Sequence, residues 1–457
     1  MIRVPRLALA TCASGPEPAP AVLALLSALN SRQLRVQHFC SRARPTSDGL
    51  VARASGLPDR HLDSWLMSPE ILRELFLRGA GSADLSVIEG TLDNAPPPVD
   101  LRRADRPGRL GPIAEVLNLP RLAILRIPPG EPFHLPALPL NIDAILLDEL
   151  DDASQFGSIR RVVETLTRCP VIGAVGSLPD ARDAVRSGDP WRAAEGMAAL
   201  ATSFLQFSDI PAIRRLAESR HLNACGNVDS VPRRTPAFRV AYAQDAAFGG
   251  YFPDTLETLE ALGAELHEFS PLRDEDLPVG ADLVLIGSGY PERFADELSA
   301  NLSMIAALRT HVCRGRRIYT EGGGTAYLGR ALILEGRSVP MAGIFPFDAE
   351  LRPNGPSPSP VTRTFLRAGW LGPGGTSVRG YRSNRWRLHS APEVEDCPVR
   401  SGILTAQRDV FFRYNAVGSL IHLHLASLPE VVAAFATPSS TTATSASPLP
   451  SVSKRIW

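Results

Sequence analysis

The chain of 457 residues contains a single lysine, Lys454, close to its C-terminus, and every other basic side chain is arginine. A mechanism that needs an ammonium group in the folded part of the chain is therefore excluded. Acidic and basic residues balance at 48 each, and no run of arginines forms a stripe that could follow a phosphate backbone. We therefore expect no nucleic-acid partner.

Paired cysteines and long apolar runs are also lacking. The six cysteines are scattered, with no C-x-x-C pair and no His/Cys cluster at metal-ligand spacing, which favours reduced thiols in a cytoplasmic protein. No uncharged apolar run reaches the roughly 18 residues of a membrane helix, so we expect no membrane partner. The apolar run at the start is shorter than the roughly 7 to 15 residues of a secretory signal, and it favours a buried first strand over residues 3–10.

What the first half does contain is an alternation of short apolar runs with helical periodicity, which is typical of a parallel sheet with crossover helices. Because the chain is too long for one ordinary core, we expect an α/β fold of two domains. The pattern predicts helices over 21–30 and 68–78 and strands over 7–10, 34–39, 85–88, 122–127, 144–147 and 171–174.

A polar, proline-bearing segment over 227–236 precedes a second α/β alternation. We therefore predict one domain over 1–230, a second over 231–436, and a disordered tail over 437–457, which is poor in large apolar side chains. In the second domain the pattern predicts helices over 255–262 and 298–313 and strands over 238–241, 283–286, 317–319 and 419–424.

Six strings, in order and at suitable spacing, resemble those of the cobyrinate a,c-diamide synthase family. They are GLPDRHLDSWLM (56–67), VIEG (87–90), FPDTLETLEALGAELHEFSPLRDEDLP (252–278), LIGSGYPE (285–292), EGGGTAYLG (321–329) and LIHLHLASLPE (420–430). The resemblance implies a P-loop-like domain similar to dethiobiotin synthetase, followed by a class I glutamine amidotransferase-like domain. It also implies ATP- and magnesium-dependent amidation of two corrin carboxylates, with ammonia drawn from glutamine.

The phosphate-binding loop departs from that pattern. A P-loop needs glycines for close approach to phosphate, a lysine for its charge, and a Ser/Thr hydroxyl for magnesium. The loop begins at Thr11 and keeps Gly15, but Pro18 stands where the resemblance places the lysine and Ala19 where it places the hydroxyl. We therefore expect a degenerate P-loop and assign no cofactor, although an arginine such as Arg42 is an alternative source of charge.

Other nucleotide positions are altered as well. Asp148 and Glu149 replace an Asn-Arg pair of the family, which reverses the charge there. Glu89 matches the carboxylate implied to help bind magnesium, with Asp48 close to a second acidic position, whereas an ordinary carboxylate at a strand end is the alternative for Glu89. Arg44 stands where the resemblance implies an aspartate.

Asp63 and Ser64 match a family loop near the substrate. Capping of the predicted helix 68–78 is the alternative role for both side chains.

The amidotransferase half lacks its nucleophile. Glutamine hydrolysis of this class proceeds by attack of a thiolate. The resemblance places Ala-Glu-Cys-Gly-Gly where this chain reads Thr-Glu-Gly-Gly-Gly, so that Gly322 occupies the cysteine position. Cys313 lies nine residues upstream, and we expect a buried structural thiol there, not a relocated nucleophile.

Remnants of that site persist. His422 matches the histidine implied to activate the thiol, although His424, alternating with it on the predicted strand, or plain packing of either ring, is an alternative. Gly287, Gly289 and Tyr290 match the loop implied to form the oxyanion hole. Both histidines of the family string Gly-His-Glu-Phe-His-Tyr are absent from the matching segment 380–385.

These losses share a pattern, because the scaffold strings remain recognisable while the reacting and phosphate-binding residues are replaced. We therefore expect a non-catalytic paralogue that binds a corrinoid or another tetrapyrrole, or that pairs with an active family member or with itself. The alternative is an active ATP-dependent amidoligase with a rebuilt nucleotide site that uses free ammonia.

Overall fold

The computed structural model describes residues 4–11, 20–44, 49–92, 107–127, 138, 141–222, 237–352, 357–365, 369–390, 399–400 and 409–436. Residues 12–19, with the predicted loop positions Gly15, Pro18 and Ala19, lie outside the described residues, as do Asp48 and the predicted tail. The chain forms two compact units, Met1–Asp229 and Ser230–Trp457.

The first unit is built on a parallel sheet of seven strands in the order β3-β2-β4-β1-β5-β6-β7. The strands are β1 (Arg6–Thr11), β2 (Val36–Cys40), β3 (Arg60–His61), β4 (Leu85–Thr91), β5 (Arg121–Arg126), β6 (Ala144–Leu150) and β7 (Val171–Gly176). Six of these strands were predicted from their apolar runs, which is the pattern expected of parallel strands covered on both faces.

The described part of this unit contains eight α-helices, of which five lie between strands and three follow β7. They are α1 (Pro20–Ser31), α2 (Leu50–Ser55), α3 (Pro69–Ala80), α4 (Leu110–Val116), α5 (Phe156–Thr167), α6 (Pro179–Arg186), α7 (Pro190–Phe207) and α8 (Ile210–Glu218). Helix α1 is buried along most of its length, and it packs with α7 against the central strands. The two predicted helices of this unit, α1 and α3, are confirmed within two residues at each end.

The second unit has a main sheet of six strands in the order β10-β8-β11-β13-β22-β21, parallel except for the last pair. Its strands are β8 (Phe238–Ala243), β10 (Ala264–Phe269), β11 (Leu283–Ile286), β13 (Arg317–Glu321), β21 (Val410–Arg413) and β22 (Ala416–Ser419). The helices of the unit are α9 (Pro253–Ala261), α10 (Ala295–Ala300), α11 (Leu302–Cys313), α12 (Gly323–Tyr327) and α13 (Pro429–Ala436).

Three smaller sheets complete the described part of this unit, in the orders β12-β9, β15-β14-β16-β19 and β20-β17-β18-β23. Their strands are β9 (Phe248–Gly250), β12 (Ser288–Gly289), β14 (Ala331–Leu334), β15 (Arg337–Pro340), β16 (Phe347–Leu351), β17 (Ser359–Phe365), β18 (Ser377–Arg382), β19 (Trp386–Ser390), β20 (Val399–Arg400) and β23 (Ile421–His422).

Two predicted elements of the second unit are wrong in extent. The predicted helix 298–313 is broken at Asn301, because its side chain accepts a hydrogen bond from the Met304 N–H at 3.2 Å and starts α11 there. The predicted strand 419–424 is divided between β22 of the main sheet and β23 of a small sheet. Leu420 separates them, since its N–H donates to the Asp409 carbonyl and takes the chain out of the main sheet.

Three cysteines lie in the described part of the chain, Cys40, Cys169 and Cys313, and all three are free thiols. Among the described helices, none has the length and apolar character needed to cross a membrane.

Candidate functional site

The candidate site lies at the carboxyl ends of three adjacent strands of the second unit, β11, β13 and β22. Loops at this edge of a parallel sheet are the usual place for ligands and reacting groups. Gly287 follows β11, Gly322 follows β13, and His422 lies just beyond β22. The topology therefore brings together residues that are far apart in the sequence.

Gly322 forms a sharp turn between β13 and the short helix α12. Its φ is 51° and its ψ is −110°, a conformation that side-chain-bearing residues adopt only under strain. Its N–H donates to the Ser419 carbonyl at 2.8 Å, which fixes the turn to the neighbouring strand. This strand–turn–helix geometry is an elbow that would present a side chain at residue 322, but glycine has none to present.

The position of the missing side chain is largely filled by the imidazole of His422. A Cβ built on Gly322 would lie 2.7 Å from His422 Cε1, 3.1 Å from Ser288 Oγ and 3.2 Å from His422 Nε2. Carbon atoms in ordinary contact are about 3.5–4.0 Å apart. A side chain at residue 322 therefore requires the imidazole to move.

A row of acceptors and donors holds His422 in place. Its Nδ1 lies 3.3 Å from Glu321 Oε2, while Glu321 Oε1 accepts from the Tyr319 hydroxyl at 2.6 Å and from the Leu423 N–H at 3.1 Å. Burial and the charge of Glu321 raise the pKa of Tyr319 well above its ordinary value, so the hydroxyl remains a donor. Because a carboxylate only accepts, it favours the tautomer with hydrogen on Nδ1.

In the loop implied to form the oxyanion hole, two backbone N–H groups already donate hydrogen bonds within the chain. The Gly287 N–H donates to the Tyr251 hydroxyl at 3.0 Å, and the Tyr290 N–H donates to the Ala247 carbonyl at 2.9 Å. Gly289 passes close to the same segment, since a Cβ on it would lie 1.9 Å from the Ala247 oxygen. In this conformation the amides of Gly287 and Tyr290 are not available to a developing oxyanion.

A cavity of about 20 Å³ lies beside Glu321 and is lined in part by Tyr251, Phe252 and Thr255. That volume is enough for one water molecule.

His424 does not share a strand with His422, so the expected alternation is wrong. It lies beyond β23, at the start of a single turn over Leu425–Ser427. The ring is 0% exposed, packs on Phe252 with ring centroids 4.8 Å apart, and places Nε2 3.7 Å from Asp254 Oδ2. His424 is thus a packed histidine, and His422 is the one that faces Gly322.

The expectation of a buried thiol at Cys313 is also wrong, because the side chain is exposed. The apolar face of α11 ends with His311 and Val312, and the next residue turns away from the core. The five residues of β13, which follow the helix and precede Gly322, span about 17 Å. Cys313 therefore lies at the far end of the strand from the elbow.

In the first unit, Asp63 is buried and stabilises its own turn. Its carboxylate accepts from the N–H groups of Trp65 at 2.9 Å and Ala43 at 3.2 Å. The alternative role of capping the following helix is wrong, because Ser68 is the capping residue of α3. The Ser64 hydroxyl is buried without a hydrogen-bond partner in the described part of the chain. A substrate role for the pair stays a prediction.

Glu89, the predicted magnesium ligand, is bonded to a charged histidine. His38 places Nε2 3.1 Å from Glu89 Oε2 and Nδ1 2.7 Å from Asp59 Oδ1. Burial alone would lower the pKa of His38, but the charge of Asp59 and hydrogen bonds to both carboxylates raise it to about 9. The described residues contain no group of three His, Cys, Asp or Glu side chains that could hold a metal ion. The role of Glu89 with Asp48 in magnesium binding stays a prediction.

The acidic pair that replaces the family's Asn-Arg forms ion pairs with an arginine of the same unit. Arg182 lies between Asp148, with Nη2 2.5 Å from Oδ1, and Glu149, with Nη1 3.6 Å from Oε1. Asp148 and Arg182 are both buried. The two carboxylates that replace the family's Asn-Arg are therefore both paired with an arginine of the same unit.

Three participants of the site in the second unit were missed from the sequence, Tyr319, Glu321 and Ser288. Glu321 lies within a quoted string, next to the cysteine position, so its place was visible but its contact with His422 was not. Ser288 also lies within a quoted string, between two predicted glycines. No spacing rule connects it to residues 322 and 422.

A seven-stranded parallel sheet in one unit and an empty nucleophile elbow in the other define a two-unit α/β protein with an amidotransferase-like second unit. The family description "CobB/CobQ-like glutamine amidotransferase domain" matches residues 239–428. The cobyrinate a,c-diamide synthase of Syntrophotalea carbinolica is 28% identical, over 94% of this chain and 98% of the relative. That of Salmonella typhimurium is 28% identical, over 93% of this chain and 96% of the relative.

The cobyrinate a,c-diamide synthase of a Synechocystis species is 31% identical, over 73% of this chain and 72% of the relative. The chain belongs to the cobyrinate a,c-diamide synthase family, as the quoted strings predicted.

Proposed function

We propose that this member of the family does not carry out ATP- and glutamine-dependent amidation and acts instead as a binding protein. The ligand proposed for it is a corrinoid or a related tetrapyrrole, since its relatives are named for a reaction of cobyrinate. Pairing with an active family member or with a second copy of this chain is a further part of the proposal.

The elbow at Gly322 is the observation that carries this proposal. Amide hydrolysis of this class requires a nucleophile on that turn, and the turn ends in a residue with no side chain. The imidazole of His422 reaches to within 2.7 Å of the Cβ position, and two amides of the adjacent loop are bonded to Tyr251 and Ala247. The site is therefore closed as well as deprived of its sulfur.

The charged residues of the first unit argue against binding of ATP. A triphosphate needs a cation within reach, and the only lysine of the sequence is Lys454. Glu89 is engaged by His38, and Asp148 by Arg182. These contacts support a first unit that keeps its fold without binding Mg-ATP.

The test is a pair of calorimetric titrations of the full chain, one with cobyrinate and one with Mg-ATP. We expect heat of binding with cobyrinate and none with millimolar Mg-ATP. The positive control is the cobyrinate a,c-diamide synthase of Salmonella typhimurium, which should bind both. Failure of cobyrinate to bind would remove the tetrapyrrole from the proposal.

An activity assay completes the test. We expect no diamide from cobyrinate, ATP and magnesium with either glutamine or ammonia as nitrogen donor, while the Salmonella typhimurium enzyme gives product. Formation of the diamide by this chain with free ammonia would overturn the proposal in favour of an active amidoligase.

A further inference from the structure

Two arginine side chains contact the ring of Tyr290, which is half-buried in the second unit. The guanidinium carbon of Arg293 lies 4.6 Å from the ring centroid, and that of Arg385 lies 4.5 Å from it. Both are cation–π contacts, which attract a guanidinium group to the ring. Because the two distances share one centroid, the guanidinium carbons are no farther apart than the sum of 4.6 and 4.5 Å. Two like charges are thus held close together.

The two arginines come from separate segments of the unit. Arg293 lies on the turn Pro291–Phe294, which directly follows Tyr290, and its backbone N–H donates to the Tyr290 carbonyl at 3.0 Å. Arg385 precedes β19, and its carbonyl accepts from the Arg352 N–H at 2.7 Å. Residue 385 is the last position of the segment 380–385, where the matching family string ends in tyrosine, so the guanidinium group is a departure of this chain.

The positive charge of this pair is only partly balanced. Arg385 Nη2 donates to Glu292 Oε1, and the Glu292 side chain is 9% exposed. Burial raises the pKa of Glu292, although the charges of Arg385 and Arg293 oppose that shift. The Arg293 side chain is exposed and makes no hydrogen bond or ion pair with the part of the chain that the structure describes. Asp296, three residues further along, is bonded instead to Arg337 at 2.8 Å.

A carboxylate of a ligand fits the two arginines. A guanidinium group presents a planar fork of N–H donors that matches the two oxygens of a carboxylate. The Arg293 fork is exposed, and the Arg385 side chain is 39% exposed while it donates to Glu292. Groups that are already held in place lose less freedom on binding than mobile ones. A ligand on these exposed groups does not have to enter the closed site at the elbow.

We propose that Arg293 and Arg385, held against Tyr290, form a carboxylate-binding surface that takes the acid side chains of the tetrapyrrole. The inference deepens the proposed function and rests on it for the identity of the ligand. It adds where the ligand binds and which of its groups are recognised. The ligand stays at the surface of the second unit, and no covalent bond is made or broken.

The test is a titration of the full chain with two corrinoids, cobyrinate and a corrinoid whose acid side chains are all amides. We expect cobyrinate to bind more tightly than the amide compound. The Kd for cobyrinate should also rise when sodium chloride is increased from about 50 to about 500 mM, because salt screens exposed charges. Equal Kd values for the two corrinoids would overturn the proposal.

Variants identify the groups that bind the carboxylates. Arg293→Ala should raise the Kd for cobyrinate about 5-fold, as expected for the loss of one exposed ion pair, and should leave the Kd of the amide compound unchanged. Arg385→Gln is combined with Glu292→Gln, so that no buried carboxylate loses its partner, and a similar increase is expected. The matched control is Arg330→Ala, since Arg330 is 48% exposed but is already bonded to Asp348 through two nitrogens. This control should leave the Kd for cobyrinate unchanged.

A second probe separates this inference from the proposed function. Benzenehexacarboxylate is a planar polycarboxylate that is not a tetrapyrrole. If cobyrinate fails to bind but benzenehexacarboxylate binds the wild type, and binds Arg293→Ala about 5-fold more weakly, the carboxylate surface is supported and the tetrapyrrole is excluded. If cobyrinate binds the wild type, Arg293→Ala and the combined variant equally well, the proposed function is supported and this inference is wrong. If neither compound binds, both are wrong.

Discussion

The close approach of His422 to the elbow makes Gly322→Ala a sharp perturbation. Alanine would have to adopt a φ of +51°, and its Cβ would lie 2.7 Å from an imidazole carbon of His422. The backbone conformation costs about 1–3 kcal/mol for a residue with a Cβ. The contact must also relax to about 3.5 Å or more, which moves the ring and weakens the Nδ1 contact to Glu321. A hydrogen bond to a charged group contributes about 1.5–3 kcal/mol, so we expect a loss beyond the backbone cost alone.

The matched control is Gly336→Ala. Gly336 has a φ of +84° with no atom within 4 Å of a built Cβ, so the substitution reports the backbone cost alone, about 1–2 kcal/mol. Scanning calorimetry of the full chain measures both, with about 2–4 °C of Tm for each kcal/mol in a unit of this size. We expect the larger decrease for Gly322→Ala.

A double variant tests the cause. In Gly322→Ala/His422→Ala the ring is gone, so the added methyl should cost no more than it does at residue 336. The coupling between the two sites should then be about 0.5–3 kcal/mol in the favourable direction. Equal Tm decreases for Gly322→Ala and Gly336→Ala, or strict additivity in the double variant, would refute the packing of the imidazole against the elbow.

Three further predictions concern buried charges. Asp409 is fully buried, and its carboxylate accepts hydrogen bonds from Arg363 Nε at 2.7 Å and Arg382 Nε at 2.6 Å. In urea unfolding, Asp409→Asn should therefore destabilise the second unit by about 3–5 kcal/mol. A change below about 1 kcal/mol would contradict the pairing. Arg182→Met should cost the first unit a similar amount by leaving a buried carboxylate unpaired, measured against exposed Arg160→Met on the same unit. Burial lowers the pKa of His311 to about 4 from 6.5. As the pH falls, the unfolded chain therefore binds a proton at this histidine before the folded chain does. The stabilising contribution of neutral His311 is complete above pH 6.5, and the free energy of unfolding falls by up to about 3 kcal/mol as the pH drops toward 4. The urea midpoint of a His311→Gln variant should lack this pH dependence.

The strands that were predicted correctly are those whose own sequence determines their environment. β1 and β11 are short apolar runs that are covered on both faces, so composition alone indicates them. The region over 419–424 was predicted as one strand because its residues are apolar and β-forming. Its division depends on where the backbone of Leu420 finds a partner, and Asp409 is not adjacent to it in the sequence.

The candidate site was likewise predicted only in part from the sequence. The empty elbow and His422 were predicted, because each lies within a string whose role the family resemblance implies. The contact of His422 with Glu321, and the nearness of Ser288, arise from the order of three neighbouring strands, which no single segment encodes. Cys313 was misjudged for a related reason, since one step along a helix separates its buried face from solvent.

The ion pair of Asp148 and Arg182 has a consequence for how this lineage can change. Replacement of Asp148 alone by the family's asparagine would leave a buried guanidinium without its carboxylate, and replacement of Arg182 alone would leave a buried carboxylate without its guanidinium. Either single replacement gives a less stable protein. Once the pair had formed, selection for stability would act against replacing either of its two residues singly.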